Sequence, residues 1–134
     1  MNREKLINAF RQSATAKGYA FHTDEVRHMP HTIKKYPAVW LSPPEFQSME
    51  GINHGSVVYA VRMHAMKEGA KMDAEAKVAA GIELEQSVVD IFCSLSDFDF
   101  VAEIDKLKIE HKSQTLTTHG EVGVTATAEV ITIF

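Results

Sequence analysis

The sequence predicts an α+β fold in which a mostly antiparallel β-sheet packs against one long helix, at about residues 73–95. An N-terminal helix and a long C-terminal β-hairpin complete the prediction. Apolar residues recur at helical spacing along the long helix, and apolar and polar residues alternate over residues 121–134. The length of 134 residues suits a single domain, residues 1–134, which can bury roughly two-thirds of its unfolded surface.

The N-terminal segment has the pattern of an amphipathic helix. Leu6 and Phe10 are four residues apart on one face of a helix expected over residues 4–17, with Asn2 available as its cap. Gly18 follows the last apolar position, and glycine commonly ends a helix. The chain therefore begins with one helix of about four turns.

Two short strands and a loop are expected next. Residues 19–23 alternate in polarity, and residues 38–41 form a brief apolar run with Pro37 before it and Pro43 after it. Residues 45–55 are polar and contain two glycines and an asparagine, which are typical turn residues. We interpret them as a loop.

The next segments predict a long strand followed by the long helix. Residues 56–66 alternate, with Val57, Tyr59 and Val61 on one face. Asp73 is a suitable N-cap, and the helix after it keeps an apolar stripe. The residues of that stripe are Leu84, Val88, Ile91 and Leu95.

The last two predicted strands form a hairpin. Residues 106–112 alternate between apolar and charged side chains, residues 113–120 are polar, and residues 121–134 alternate throughout. A strand of that final length measures roughly 45 Å at about 3.3 Å per residue, which exceeds what a small sheet usually needs. Part of the last strand is therefore expected to project or to pair elsewhere.

Composition excludes several classes of function. The hydrophobic share of 45% and charged share of 24% are those of a globular protein. The net charge is -4 and no run of Lys and Arg is present, so direct nucleic-acid recognition is not expected. No apolar run is long enough to suggest a membrane span or a signal peptide. With Cys93 as its single cysteine, the chain suits a reducing compartment such as the cytoplasm.

Three histidines are candidate metal ligands. His22, His28 and His31 lie close together in sequence, and imidazole is a common metal ligand. Their spacing matches no metal motif, and Pro30 disfavours a helix that would align His28 and His31. No metal and no cofactor is therefore predicted.

Other reactive side chains are interpreted as structural or solvated. Cys93 follows Phe92 in an apolar helix, which predicts a small core residue rather than a nucleophile. No acid–base pair and no phosphate-binding glycine motif is present, so no catalytic residue is assigned and the protein is not expected to be an enzyme. The candidates set aside in this way are His111, His119, Glu83, Glu85, Asp97 and Asp99.

Interface residues are predicted instead. Trp40 is interpreted either as a core residue of the short strand or as an interface anchor. The long terminal strand has a Thr-rich face, and its edge is one that a monomer must protect and an oligomer can use. The expected interface residues are Trp40, Glu121, Val122, Val124, Thr125, Thr127 and Glu129.

The order of these elements resembles a family of phage proteins. Its carriers are residues 36–41 (Tyr-Pro-Ala-Val-Trp-Leu), residues 57–61, residues 88–92 at the end of the long helix, and the closing strand 122–134. In this order they resemble the small tail-terminator and tail-completion proteins of long-tailed bacteriophages and prophages. The resemblance implies a ring, typically of six copies, that caps the tail tube and joins it to the head. It implies partners among tail or neck proteins, no cofactor and no catalysis.

Two other classes of function stay open. One is a small cytoplasmic ligand-binding or enzymatic domain, with a site between the long helix and the sheet that uses Arg62, His64 or His111. The other is an adaptor that binds a protein by strand addition along residues 121–134. In the tail interpretation the protein is expected in the host cytoplasm during assembly and then in the virion tail.

Overall fold

A computed structural model describes residues 2–112 and 120–134 and confirms the α+β class. Its helices are α1 (Asn2–Ala16), α2 (Met29–Thr32) and α3 (Ala74–Leu95), and a single 3-10 turn at Val26–His28 precedes α2. Its strands are β1 (Ala20–Thr23), β2 (Ala38–Leu41), β3 (Glu45–Gly51), β4 (Gly55–Lys67), β5 (Val101–His111) and β6 (Val122–Ile133).

The described strands form a six-stranded sheet in the order β1-β2-β4-β6-β5. β2 and β3 lie one after the other along the same edge of β4. β2 pairs with residues 63–66 of β4, and β3 pairs with residues 55–60. All pairs are antiparallel except β1 with β2. β4 is the centre of the sheet, because it pairs with β2 and β3 on one side and with β6 along its length on the other.

Helices α1 and α3 cover one face of the sheet, which we call the helix-bearing face. Alternate β4 residues point into this layer, as strand geometry requires. The edge-to-face contact of Phe10 and Phe92, with ring centroids 5.3 Å apart, joins α1 to α3. The core also contains the predicted α3 stripe, and its members include Leu6, Phe10, Tyr59, Met63, Leu84, Val88, Ile91, Leu95, Ala126 and Val130.

The opposite face carries a smaller apolar cluster. Trp40 and Met66 are covered there by Met29 and Ile33, from α2 and the residue that follows it. The Trp40 Nε1 donates a hydrogen bond of 2.9 Å to the Asp24 carbonyl oxygen. Residues 24–33 therefore cover one end of this face, and the other end is open.

Asp73 caps α3 as predicted. Its side chain accepts a hydrogen bond of 2.8 Å from the Ala76 backbone N–H, which satisfies one of the free N–H groups at the helix start. Asn2, by contrast, lies inside α1. Its side-chain amide donates to the Thr132 hydroxyl and to the Ile133 carbonyl, so Asn2 ties the helix to β6 instead of capping it.

The expected loop at residues 45–55 is wrong. Residues 45–51 form β3, which turns back into β4 through Gly51 at a φ of 87°. All seven residues of β3 are exposed. Because neither face of the strand is buried, its sequence does not alternate between apolar and polar residues. The strand forms because β4 offers backbone partners to its residues on both sides of an irregularity at Gln47.

The expectation that Pro30 prevents a helix is also wrong. α2 contains Pro30 in its first turn, where the missing N–H has no helical partner to lose. The helix is a single turn, Met29–Thr32, and it buries Met29. Its length is too short to give a periodic signal.

The final strand does not project. β6 pairs with β4 from Val122 to Ile133 and with β5 on its other side, so the antiparallel hairpin prediction is confirmed and the surplus length is used inside the sheet. β5 begins at Val101, earlier than predicted. The sequence contains no signal for its first half, because two bulges and Lys106 at a φ of 56° break the alternation there. The expected hairpin tip, residues 113–120, lies outside the described residues except for Gly120.

Candidate functional site

Trp40 is a core residue in this structure. Its side chain is fully buried in the smaller cluster. Its single polar atom is satisfied by Asp24. The core interpretation therefore fits, and Trp40 presents no surface to a partner while residues 24–33 cover it.

The predicted interface residues of the final strand do not form one surface. Glu121, Val124 and Thr125 are buried, and Val122, Thr127 and Glu129 are half-buried. The reason is topological: β6 lies between β4 and β5, and both of its edges are hydrogen bonded. Strand addition along β6 therefore has no open edge to use.

Two of the three clustered histidines, His22 and His28, contact other side chains, and His31 is exposed. The His28 Nδ1 lies 2.9 Å from a carboxylate oxygen of Asp24, and the His22 ring lies 5.8 Å from that of Trp40. A hydrogen bond from the Glu25 backbone N–H, followed by the contact with His28, lowers the pKa of Asp24. No set of three or more potential ligands is brought together among residues 2–112 and 120–134, and His119 lies outside them.

The proposed ligand residues do not converge. His64 and Arg62 point to the face away from α3, and His111 points toward α3, where its Nε2 lies 3.0 Å from Glu85. The His64 Nδ1 is 2.8 Å from the Thr125 hydroxyl, and burial is the main cause that lowers the pKa of His64 to about 4. Of the three alternatives, His111 faces α3, and Arg62 and His64 lie on the wrong face for a site between α3 and the sheet.

The open end of the other face contains a shallow depression of about 440 Å³. Its charged side chains are of both signs: Arg62 and Lys106 face Glu45 and Glu129. Lys106 lies 3.4 Å from Glu129. This balance selects neither an anion nor a cation.

β3 presents apolar side chains to solvent. Phe46 and Met49 are 48% and 46% exposed, and Ile52 in the adjoining turn is 88% exposed. Phe46 and Met49 pair with Tyr59 and Val57, so they point to the helix-bearing face. We call Phe46, Met49 and Ile52 the β3 patch. Polar residues separate its members in the sequence, and the members follow no strand period. The sequence alone therefore contains no signal of an exposed apolar surface.

A groove opens between α3 and β5 on the same face. Its volume is about 330 Å³, and apolar atoms form most of its surface. Cys93 is exposed there, which corrects the expectation of a core residue. Leu107 is 38% exposed. We call this the α3–β5 groove, and its main lining residues are Phe92, Cys93, Val101, Ile104 and Leu107.

The patch and the groove lie on the same face of the sheet, at its two lateral edges. They lie at the same height along the strand direction. β3 pairs with residues 55–60 of β4, and residues 56–60 pair with residues 129–133 of β6. Residues 129–132 pair in turn with Val101–Asp105 of β5. Because each step is antiparallel, β3 and β5 also run in opposite directions.

Neither β3 nor β5 has a further strand beside it among the described residues. Such open edges are the usual places where sheets meet other chains. β5 is blunted by its charges and by its bulges between residues 101 and 108. The candidate functional site is therefore a pair of surfaces at the two sides of the sheet, and it is defined by apolar exposure and strand direction.

Among the described residues, no helix is both long enough and apolar enough to cross a bilayer. No protein-family model matches this sequence, and a search of curated proteins finds no similar sequence.

Proposed function

We propose that this protein is a structural subunit that assembles with copies of itself into a ring, as part of a phage or prophage-derived tail. In this proposal the ring terminates the tail tube or joins it to the head, and its partners are tail or neck proteins. The proposal contains no cofactor and no chemical step. The expected location is the host cytoplasm during assembly and then the virion tail.

One observation carries the self-assembly: the two outer surfaces of the sheet lie at one level and their strands run in opposite directions. A contact between two different surfaces of the same chain is head-to-tail. Repeating it by rotation about an axis roughly parallel to the strands gives a closed ring without a shift in level. The same contact with a shift would give a helical filament.

The tail assignment rests on the order of elements. An N-terminal helix, a short strand after Pro37, a long central strand, a long helix and a closing antiparallel pair occur in the chain, and this is the order that resembles the tail-terminator proteins. α2 and β3 are additions to the predicted order.

The first test is the solution mass, measured by light scattering over a concentration series, with negative-stain imaging of any large species. We expect a closed ring of about six copies, as the resemblance implies. The second test mixes the protein with purified tail tubes that lack their terminal ring and looks for density at one tube end. A monomer at all concentrations that also leaves tube ends bare overturns the proposal.

A further inference from the structure

We propose that residues 24–33 form a pH-dependent cover, which opens on acidification when His64 takes up a proton and which then exposes Trp40. We call residues 24–33 the cover segment. The inference concerns a single copy of the chain, so it does not depend on the proposed ring.

The cover segment rests on the sheet through two apolar side chains. Met29 and Ile33 are fully buried, and they pack with Trp40 and Met66 in the smaller cluster. The Trp40 Nε1 adds a hydrogen bond of 2.9 Å to the Asp24 carbonyl oxygen. Most other residues of the segment are exposed. Segments with few buried apolar contacts can open locally while the rest of the domain stays folded.

His64 lies next to Trp40 on the same face of the sheet. The two residues are paired between β2 and β4, and His22 of β1 pairs with Trp40 on its other side. His64 is 3% exposed, and its Nδ1 lies 2.8 Å from the Thr125 hydroxyl. Its Nε2 is buried and has no hydrogen-bond partner among the described residues. Both nitrogens of an imidazolium donate, so protonation in the closed state leaves a buried N–H without an acceptor.

The charges near His64 also oppose its protonation while the cover is closed. Burial, followed by the positive charges of Lys112 and Arg62, lowers the pKa of His64 to about 4. The acid in this row of the sheet, Glu110 on β5, is separated from His64 by Thr125 on β6. The neighbours of His64 on β2 and β1 carry no acidic group in this row. The sheet therefore supplies no counter-ion for a charged His64.

The acids of the cover segment pair within the segment. Asp24 accepts a hydrogen bond from the Glu25 backbone N–H and lies 2.9 Å from the His28 Nδ1, and these contacts lower its pKa. Glu25 pairs with Arg27 at 2.6 Å. His31 is exposed. Because both pairs are internal, they move with the cover and do not hold it to the sheet.

The sign of the pH effect follows from the two states of the cover. Opening brings water to the His64 ring, so its pKa returns from about 4 toward 6.5. The open state then binds a proton that the closed state does not, and the cover loses stability as the pH falls from 7 toward 4. This linkage raises the opening constant roughly twentyfold between pH 7 and pH 5. His22, whose pKa is also lowered by burial, acts in the same direction.

The indole N–H of Trp40 provides a direct readout. Trp40 is the single tryptophan, and this N–H bonds to the cover segment. Its hydrogen exchange is measured by NMR between pH 5 and pH 7 and corrected for the exchange of a free indole. The slowest backbone N–H groups of β4 report global unfolding. We expect Trp40 to be less protected than these groups at every pH, with a protection that falls roughly twentyfold from pH 7 to pH 5.

Three variants separate the sensor from the cover. His64→Gln should remove most of the fall in protection, and the remainder comes from His22. His31→Gln, at an exposed position of the cover segment, is the matched control and should keep the wild-type fall. Met29→Ala removes a buried side chain of the cover. It should lower the protection of Trp40 by at least about tenfold at each pH and keep the fall, whatever His64→Gln does to the local packing.

Two results would overturn the inference. If Trp40 and the slowest β4 groups have equal protection at every pH, the cover opens only with global unfolding. If the protection of Trp40 does not change with pH, or falls as steeply in His64→Gln as in the wild type, His64 is not the sensor. A lower protection at Trp40, with a fall that depends on His64 and not on His31, establishes the switch.

Discussion

The Phe46 ring meets the Tyr59 ring edge to face, at 6.3 Å between centroids and an angle of 85°. The two residues differ in exposure, since Tyr59 is 1% exposed and Phe46 is 48% exposed. Tyr59 therefore belongs to the core, and Phe46 lies on top of it at the surface.

This difference predicts losses of stability of different size for two substitutions. Phe46→Ala should lower the free energy of unfolding by about 1 kcal/mol, because only part of the ring is buried. Tyr59→Ala should lower it by roughly 3–5 kcal/mol, as is usual for a buried aromatic residue. Urea denaturation of both variants checks this. Equal losses would mean that Phe46 is as deeply packed as Tyr59, and the patch would then lose its role as a free surface.

A second prediction concerns the buried hydroxyl of Thr132. It accepts a hydrogen bond of 3.0 Å from Asn2 and donates one of 2.9 Å to the Val57 carbonyl. Thr132→Val leaves both partners with one bond fewer and should cost roughly 1–3 kcal/mol. Thr127→Val on the same strand, at a half-buried position, is the control and should stay within about 0.5 kcal/mol of the wild type.

A double-mutant cycle of Asn2→Ala with Thr132→Val tests whether the two side chains act together. Because they share a hydrogen bond, the losses should not add. Additive losses would show that α1 is held to β6 by packing alone.

The third prediction concerns pH. Burial, with smaller effects from Lys112 and Arg62, lowers the pKa of His64 from 6.5 to about 4. As the pH falls through this window the unfolded chain binds a proton at His64 and the folded chain does not. The free energy of unfolding should therefore fall by roughly 3 kcal/mol between pH 7 and pH 4 from this group.

The pH effect of His64 is separable from that of the acids. The carboxyl groups with lowered pKa, on Asp24, Glu83 and Asp90, act below their ordinary values of 3.8 to 4.5. His64→Gln should remove most of the slope of the stability profile between pH 7 and pH 5, and the remaining slope comes in part from His22, whose pKa is also lowered by burial. His54→Gln, at an exposed position, is the control variant. A His64→Gln profile as steep as that of the wild type would assign the pH dependence to other groups.

The fourth prediction concerns the start of α3. Asp73→Ala removes the bond to the Ala76 backbone N–H and should cost about 1 kcal/mol. In a chain of this size that loss corresponds to a fall in Tm of roughly 3–6 °C. Asp73→Asn, which keeps a capping oxygen, should retain most of the stability. An equal fall for both variants would indicate that the charge and not the cap stabilises the helix.

Sequence reasoning succeeded where one element repeats a signal many times. The apolar stripe of α3 and the alternation of β6 extend over several turns or pairs, so helical and strand periods are distinguished by many residues. The same reasoning failed at β3 and α2, which are short. β3 is exposed on both faces and shows no apolar period, and α2 has a single turn.

The candidate site was predicted less well than the fold. Thr125 was expected at an interface and is buried, and Cys93 was expected in the core and is exposed, whereas the core alternative for Trp40 fits the structure. Exposure depends on which elements cover a residue from elsewhere in the chain, and that information is not local. The exposed side chains Phe46 and Leu107 belong to a strand that was interpreted as a loop and to a bulge that broke the expected alternation.

The sequence by itself determined the α+β class, the extent of α3, its Asp73 cap and the antiparallel pairing of the last two strands. These features depend on local periodicity and on contacts between neighbouring segments. Only the tertiary structure decided which strands lie at the sides of the sheet, because strand order follows from pairings between residues far apart in the chain. That order puts β6 inside the sheet and leaves β3 and β5 at its edges, and it therefore determines which apolar side chains are exposed.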